Sequence, residues 1–197
     1  MAAQTELYLF EGGYVGINPV EGGVVNVCAL LDYATFAAAG KAVLPALQAM
    51  RSWNHAFAAR LADAEPVPAT ACAVAAVDTL RRAQPWAGSG EGVACVGDTA
   101  AMIPPLCGDG MAMALRSAEI CAPLADEFLR GQRSLTAWAE AYRGQWHREF
   151  NQRLRLGQNL QRALAAPYLG PSLLWLGRLA PPIAGYFVNA TRGGTQR

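Results

Sequence analysis

The chain has 197 residues, of which 53% are hydrophobic and 16% charged, and its formal net charge is +1. That length fits one domain or a small two-domain unit with a real core. The near-neutral charge gives no electrostatic footprint for nucleic acid. Five dispersed cysteines without a CxxC pair, and two histidines, argue against a zinc site or a disulfide framework, so no metal is expected. A reduced, cytoplasmic setting follows. The opening MAAQTELYLFEGG lacks the basic and apolar regions of a signal peptide.

In chain order, ELYLFEGGYVGINPVEGGVVNVCALLDY holds three extended runs, separated twice by Glu-Gly-Gly. Gly12-Gly13 and Gly22-Gly23 can supply the positive φ of tight turns, which predicts an antiparallel meander. In the third run Val25, Val27 and Ala29 alternate with Asn26, Cys28 and Leu30, so both faces are mostly apolar. Pro19 lacks an N–H and marks an edge or the end of a ladder. From Thr35 to about Ala64 one or two helices are expected, with Gly40 and Pro45 as breaks or starts. AEPVPATACAVAAVDTL reads as a loop leading to another strand, AQPWAGSGEG as a loop, and GVACV as a short apolar strand ending at Gly97.

A helix is expected from Asp109 to Leu129, closed by Arg130-Gly131, and Ser134 caps the next. That second helix carries Leu135, Trp138, Tyr142, Trp146, Phe150 and Leu154 at spacings of three and four. The stripe reads as a packing seam rather than an aromatic box, and the arginines between its members as a solvated face. The apolar segment from Leu169 to Val188 is interrupted by Arg178 and Pro181-Pro182. It falls short of the roughly 20 unbroken apolar residues of a membrane span and reads as a buried helix pair.

The chemistry concentrates in CVGDTAAMIPPLCGDGMAMALRSAEI, from Cys95 to Ile120. A strand ending in Gly97-Asp98 puts a carboxylate where ligands sit in α/β sheets, ready to accept from polyol or ribose hydroxyls. Pro104-Pro105 provides an extended wall with few donors. Gly108, Asp109 and Gly110 open a helix whose unpaired N–H groups, with that of Met111, favour an acceptor oxygen or a negative charge. Each feature alone would shape a turn. Together they describe a ligand with hydroxyls at one end and an electron-accepting carbonyl at the other, as in a flavin.

GDTAAMIPPLCGDGMAMALRSAE resembles the second FAD motif of the p-hydroxybenzoate hydroxylase and geranylgeranyl reductase-like flavoenzymes, a group that includes aromatic-ring monooxygenases and flavin-dependent halogenases. GGYVGINPVEGGVVNV is similar to a hairpin of that family's substrate domain. The resemblance implies that Asp98 meets the ribityl region, that Pro105 walls the ring near its reactive face, and that Gly110-Met111 offer N–H groups to its carbonyl. It places Tyr14 and Asn18 toward a small-molecule substrate. It also implies FAD as cofactor, with NAD(P)H as electron donor.

The strand–GxGxxG–helix that binds the ADP half of FAD in that family does not occur; Gly88-Ser89-Gly90-Glu91-Gly92 precedes a strand instead of following one. The chain therefore resembles the C-terminal portion of such an oxidoreductase, with an N-terminal half-protein as an expected partner. The expected fold is α+β, derived from α/β. Residues 1–90 are a remnant of the substrate-binding sheet domain with helices, 91–132 the second FAD motif and its helix, and 133–197 C-terminal helices. The alternative is a catalytically inactive remnant or partner module. A P-loop protein is disfavoured, since GxxxxGK[ST] is absent.

Overall fold

The two-residue period of Val15 and Ile17 in the central strand builds the first sheet's buried face. The computed structural model describes residues 5–75, 77–88 and 92–166. The chain divides into two compact units, Met1–Ala76 and Val77–Arg197.

In the first unit β1 (Glu6–Phe10), β2 (Gly13–Pro19) and β3 (Val25–Leu31) form an antiparallel sheet in the order β1-β2-β3, the expected meander. Val15 lies opposite Tyr8 and Ala29, and Ile17 opposite Glu6 and Val27. Two-residue periodicity sends Val15 and Ile17 to one face, where both are fully buried with Met50, Phe57 and Leu61. Gly12, Gly22 and Gly23 take the positive φ expected of them, while Gly13 already belongs to β2. Pro19 is the last residue of the central strand, so the ladder ends where the missing N–H requires.

Three α-helices follow where one or two were expected: α1 (Tyr33–Ala38), α2 (Val43–Trp53) and α3 (His55–Arg60). The extra break is Asn54. Its Oδ1 accepts from the Phe57 N–H at 3.0 Å and its Nδ2 donates to the Leu9 carbonyl at 3.1 Å, so α3 is capped and tied to β1 by one side chain. Pro45 lies in the first turn of α2, where its missing N–H costs nothing. Among the described residues the strand expected after Ala64 does not form, and only a 3₁₀ turn at Pro68–Thr70 interrupts the irregular chain. Pro66 and Pro68 remove ladder donors, and the small residues beyond them have little to bury.

In the second unit β4 (Trp86–Ala87) pairs antiparallel with β5 (Val93–Ala94). The expected loop thus supplies a strand, and the expected GVACV strand shrinks to two residues. No parallel pair occurs among the described residues, so the architecture they show is mixed α+β. Helices α4 (Gly110–Leu129) and α5 (Leu135–Ala165) are joined by a short turn. The Ser134 hydroxyl accepts from the Ala137 N–H at 3.2 Å, capping α5 as its position predicts. Tyr142, Trp146, Phe150 and Leu154 are buried against Met113, Ile120, Cys121 and Leu124 of α4, which makes the aromatic stripe a helix seam. Arg153 departs from the expected solvated face: its side chain is only 16% exposed.

The division into compact units falls after Ala76. Side chains of α5 hold the stretch that follows it. Gln158 donates to the Thr79 carbonyl and Gln161 to the Thr79 hydroxyl, both at 3.2 Å, which ties this stretch to the second unit. The helix pair expected over 169–188 lies outside the described residues. No described helix is long and apolar enough to cross a membrane.

Candidate functional site

The chain leaves β5 through Cys95 and Val96 into Gly97, which adopts φ +59 and opens a 3₁₀ turn over Gly97–Thr99. A Cβ here would stand 3.0 Å from the Ala114 Cβ, so only glycine permits this approach to α4. The Gly97 N–H donates to the Ser117 hydroxyl at 2.9 Å, and that hydroxyl donates to the Ala114 carbonyl at 2.9 Å. The Tyr142 hydroxyl donates to the Cys95 carbonyl at 2.8 Å. Burial is the main cause that raises the Tyr142 pKa, keeping the phenol protonated and available as a donor. Two helices therefore hold the strand exit from both sides. The Asp98 carboxylate projects from this turn, exposed and without a hydrogen-bond or ion-pair partner among the described residues.

The chain then buries Ala100, Ala101, Ile103 and Pro104. Pro104 is extended and fully buried, whereas Pro105 is exposed and begins a 3₁₀ turn ending at Cys107. Gly157 of α5 packs beneath: a Cβ on it would meet the Cys107 Sγ at 3.0 Å and the Pro104 Cδ at 3.3 Å. Burial, with the nearby Asp109 charge second, pushes the Cys107 thiol up to about 11, so it packs as a neutral group.

Gly108 follows in the left-handed conformation at φ +67, Asp109 takes the N-cap position, and α4 begins at Gly110. A Cβ on Gly108 or Gly110 would meet nothing within 4 Å among the described residues. The Asp109 side chain caps none of the α4 amides. It is only 4% exposed and faces Arg153 of α5, Oδ2 to Nη1 at 3.5 Å. The Met111 side chain is 84% exposed and Leu115, one turn on, 74%.

The second unit thus brings Gly97, Asp98, Pro105, Gly108, Asp109, Gly110 and Met111 around the start of α4. Gly97 contacts Ala114, one helical turn, or roughly 6 Å, along from Gly110. Tyr14 and Asn18 belong to the first unit, on the face of β2 opposite Val15 and Ile17. Asn18 accepts from the Asn26 amide across the ladder at 3.3 Å, and the Tyr14 hydroxyl is buried. No group of three metal-ligating side chains occurs among the described residues.

Sequence reasoning did not single out Ser117, Gly157 or the role of Arg153. For Ser117 the signal was present: a lone hydroxyl on the Met113, Ile120, Cys121, Leu124 face of α4. No protein-family model, curated protein or solved structure matches the chain.

Proposed function

We propose that this chain contributes the ribityl and isoalloxazine side of a flavin site in an FAD-dependent oxidoreductase, a monooxygenase or reductase using NAD(P)H. The observation that carries the reading is the pair Gly108 and Gly110 at the start of a 20-residue helix, where a Cβ would meet nothing within 4 Å among the described residues, with the exposed Asp98 in the turn that packs through Gly97 on Ala114 of the same helix. Flat rings need glycines at the point of closest approach, and polyol hydroxyls need an acceptor such as Asp98. Gly110 and Met111 would turn their N–H groups to the ring carbonyl. Pro105, exposed at the head of its turn, would lie against the ring. Tyr14 and Asn18 are the proposed substrate contacts.

A bound flavin supplies the hydride and oxygen chemistry. The chain's own residues orient it and stabilise negative charge at its electron-accepting edge. An N-terminal half-protein that supplies the ADP half of the site is the proposed partner. Met111 and Leu115, large apolar side chains on one exposed strip of α4, suit burial beneath another protein surface. They suit a non-catalytic partner module equally well, the second reading.

Titration of the purified 197-residue chain with riboflavin, FMN and FAD, followed by flavin fluorescence, separates the two. A site for the ribityl and ring side alone binds all three saturably with comparable affinity, because the phosphates and adenine find no partner. Unperturbed fluorescence with all three refutes the flavin reading and leaves the partner module.

A further inference from the structure

The first sheet has two outer edges, β1 and β3. The Gly12 carbonyl accepts from the Asp32 N–H at 2.8 Å, and the Val24 carbonyl from the Val20 N–H at 2.9 Å. Both bonds continue the β2–β3 register, so Asn26, Cys28 and Leu30 turn their N–H and C=O groups to β2. Val25, Val27, Ala29 and Leu31 turn theirs outward, where they find no hydrogen-bond partner among the described residues. Asn26, Cys28 and Ala29 are exposed. On β1 the same alternation sends the Leu9 carbonyl outward, but there it accepts from the Asn54 Nδ2 at 3.1 Å. One edge is thus engaged by the chain itself and the other is open. Val25–Leu31 holds no charge, no proline and no bulge, the devices by which edges avoid other strands.

We propose that β3 is a dimerisation edge, pairing antiparallel with β3 of a second copy of this chain across a two-fold axis. The inference is independent of the flavin reading. Outward groups must meet outward groups, and the register that pairs all seven residues does so. It sets Val25 opposite Leu31, and Val27 opposite Ala29, of the second copy, with Cys28 on the axis. Val25, Val27 and Leu31 already pack on the first core, so the pairing carries one apolar face through both copies and sets Val27 beside the exposed Ala29. With no charge on the strand, its own copy meets no repulsion. Just beyond its ends stand Val24, 51% exposed, and Tyr33, 76% exposed. The antiparallel register brings each to the end where the second copy presents the other. A two-fold pair uses the same edge of both copies and therefore closes at two.

Sedimentation of the reduced full chain over a range of concentrations tests the pairing, and twice the chain mass is expected at the upper end. Diamide then tests the register. It takes two electrons and two protons from a pair of Cys28 thiols, which join as a disulfide, and is itself reduced to the hydrazine. On the axis Cys28 forms a non-hydrogen-bonded pair with Cα atoms about 4.5 Å apart, inside the roughly 4.4–6.8 Å that a disulfide spans. Mass spectrometry should find Cys28 joined to Cys28 as the main cross-link, ahead of links through Cys72, which is also exposed. Ala29→Lys puts a charge at an exposed edge position, and Ala29→Pro removes an outward N–H that β2 does not use. Both variants, checked for folding by circular dichroism, should be monomers that no longer form the Cys28 link. A dimer that Ala29→Lys leaves intact, or cross-links spread evenly over Cys28 and Cys72, overturns the proposal. A wild-type monomer at every concentration also overturns it and leaves the open edge to a strand of another protein.

Discussion

Replacing Ser117 with alanine removes a hydroxyl that is 1% exposed and joins two segments of the candidate site. Its loss leaves the Gly97 N–H, donated to Ser117 at 2.9 Å, without that acceptor in a partly buried setting. An unsatisfied donor of this kind costs about 1–3 kcal/mol. The bond from the hydroxyl to the Ala114 carbonyl adds little, because helix carbonyls are otherwise served by the helix itself. Alanine is the better helix former and returns roughly 0.5 kcal/mol. The net expectation is destabilisation of the second unit by about 0.5–2.5 kcal/mol. Urea denaturation of the full chain measures it, with amide hydrogen exchange at Gly97–Ala100 as the local readout, because two units need not unfold in one transition. The exchange readout should change most at Gly97, whose N–H becomes unprotected. A variant with unaltered stability and unchanged exchange at Gly97 would refute the claim that Ser117 holds the first Gly-Asp turn against α4.

Gly157→Ala should fail to give the usual helix gain of roughly 0.8–1.0 kcal/mol, because the new methyl meets Cys107 at 3.0 Å and Pro104 at 3.3 Å. Thermal denaturation should show a lower midpoint, with Cys107→Ala in the same chain recovering it. Asp98→Ala touches an exposed carboxylate with no partner among the described residues, so stability should stay within about 0.5 kcal/mol while riboflavin affinity falls several-fold by fluorescence titration. A thiol reagent should label the exposed Cys28 and Cys72 quickly in the native chain, and the buried Cys107 and Cys121 only in denaturant, as mass spectrometry of the labelled peptides can show.

Alkali should destabilise the chain. Burial raises the Cys107 thiol from 9.0 to about 11 and the Tyr8 phenol from 10.0 to about 12. Both hold their proton more firmly folded than unfolded, so their contribution is complete below about pH 9 and is lost as pH rises through 11–12. Denaturation midpoints taken between pH 8 and pH 11 should fall, and Cys107→Ala with Tyr8→Phe should flatten that decline.

The α4 and α5 boundaries were legible because their signals are local. Gly108-Asp109-Gly110 opens one helix, Arg130-Gly131 closes it, and Ser134 caps the next within three residues of its acceptor bond. The hairpin turns at Gly12 and Gly22 and the end of β2 at Pro19 belong to the same class, since positive φ and a missing N–H are properties of single residues. The strand expected after Ala64 failed because a run of small residues and valines resembles a strand, but a strand needs a neighbour to pair with, and that lies outside any local window. GVACV lost most of its length for a related reason: its Cys95 carbonyl goes to Tyr142 on α5, and at Gly97 the chain turns onto α4.

By itself, then, the sequence determined the meander and the helix pair with its buried aromatic seam, and it made the stretch from Gly97 to Met111 the candidate for chemistry. Periodicity and turn chemistry act over a few residues, so they can be read from a few residues. Only the tertiary structure decided what each member of that stretch does. The Gly97 turn is held by Ser117, the Pro104–Cys107 turn rests on Gly157, and Asp109 faces Arg153 instead of the amides of its own helix. Those partners are 20 to 53 residues away along the chain, and no local pattern sets which of several distant hydroxyls, glycines or arginines will reach them; packing of α4 against α5 does.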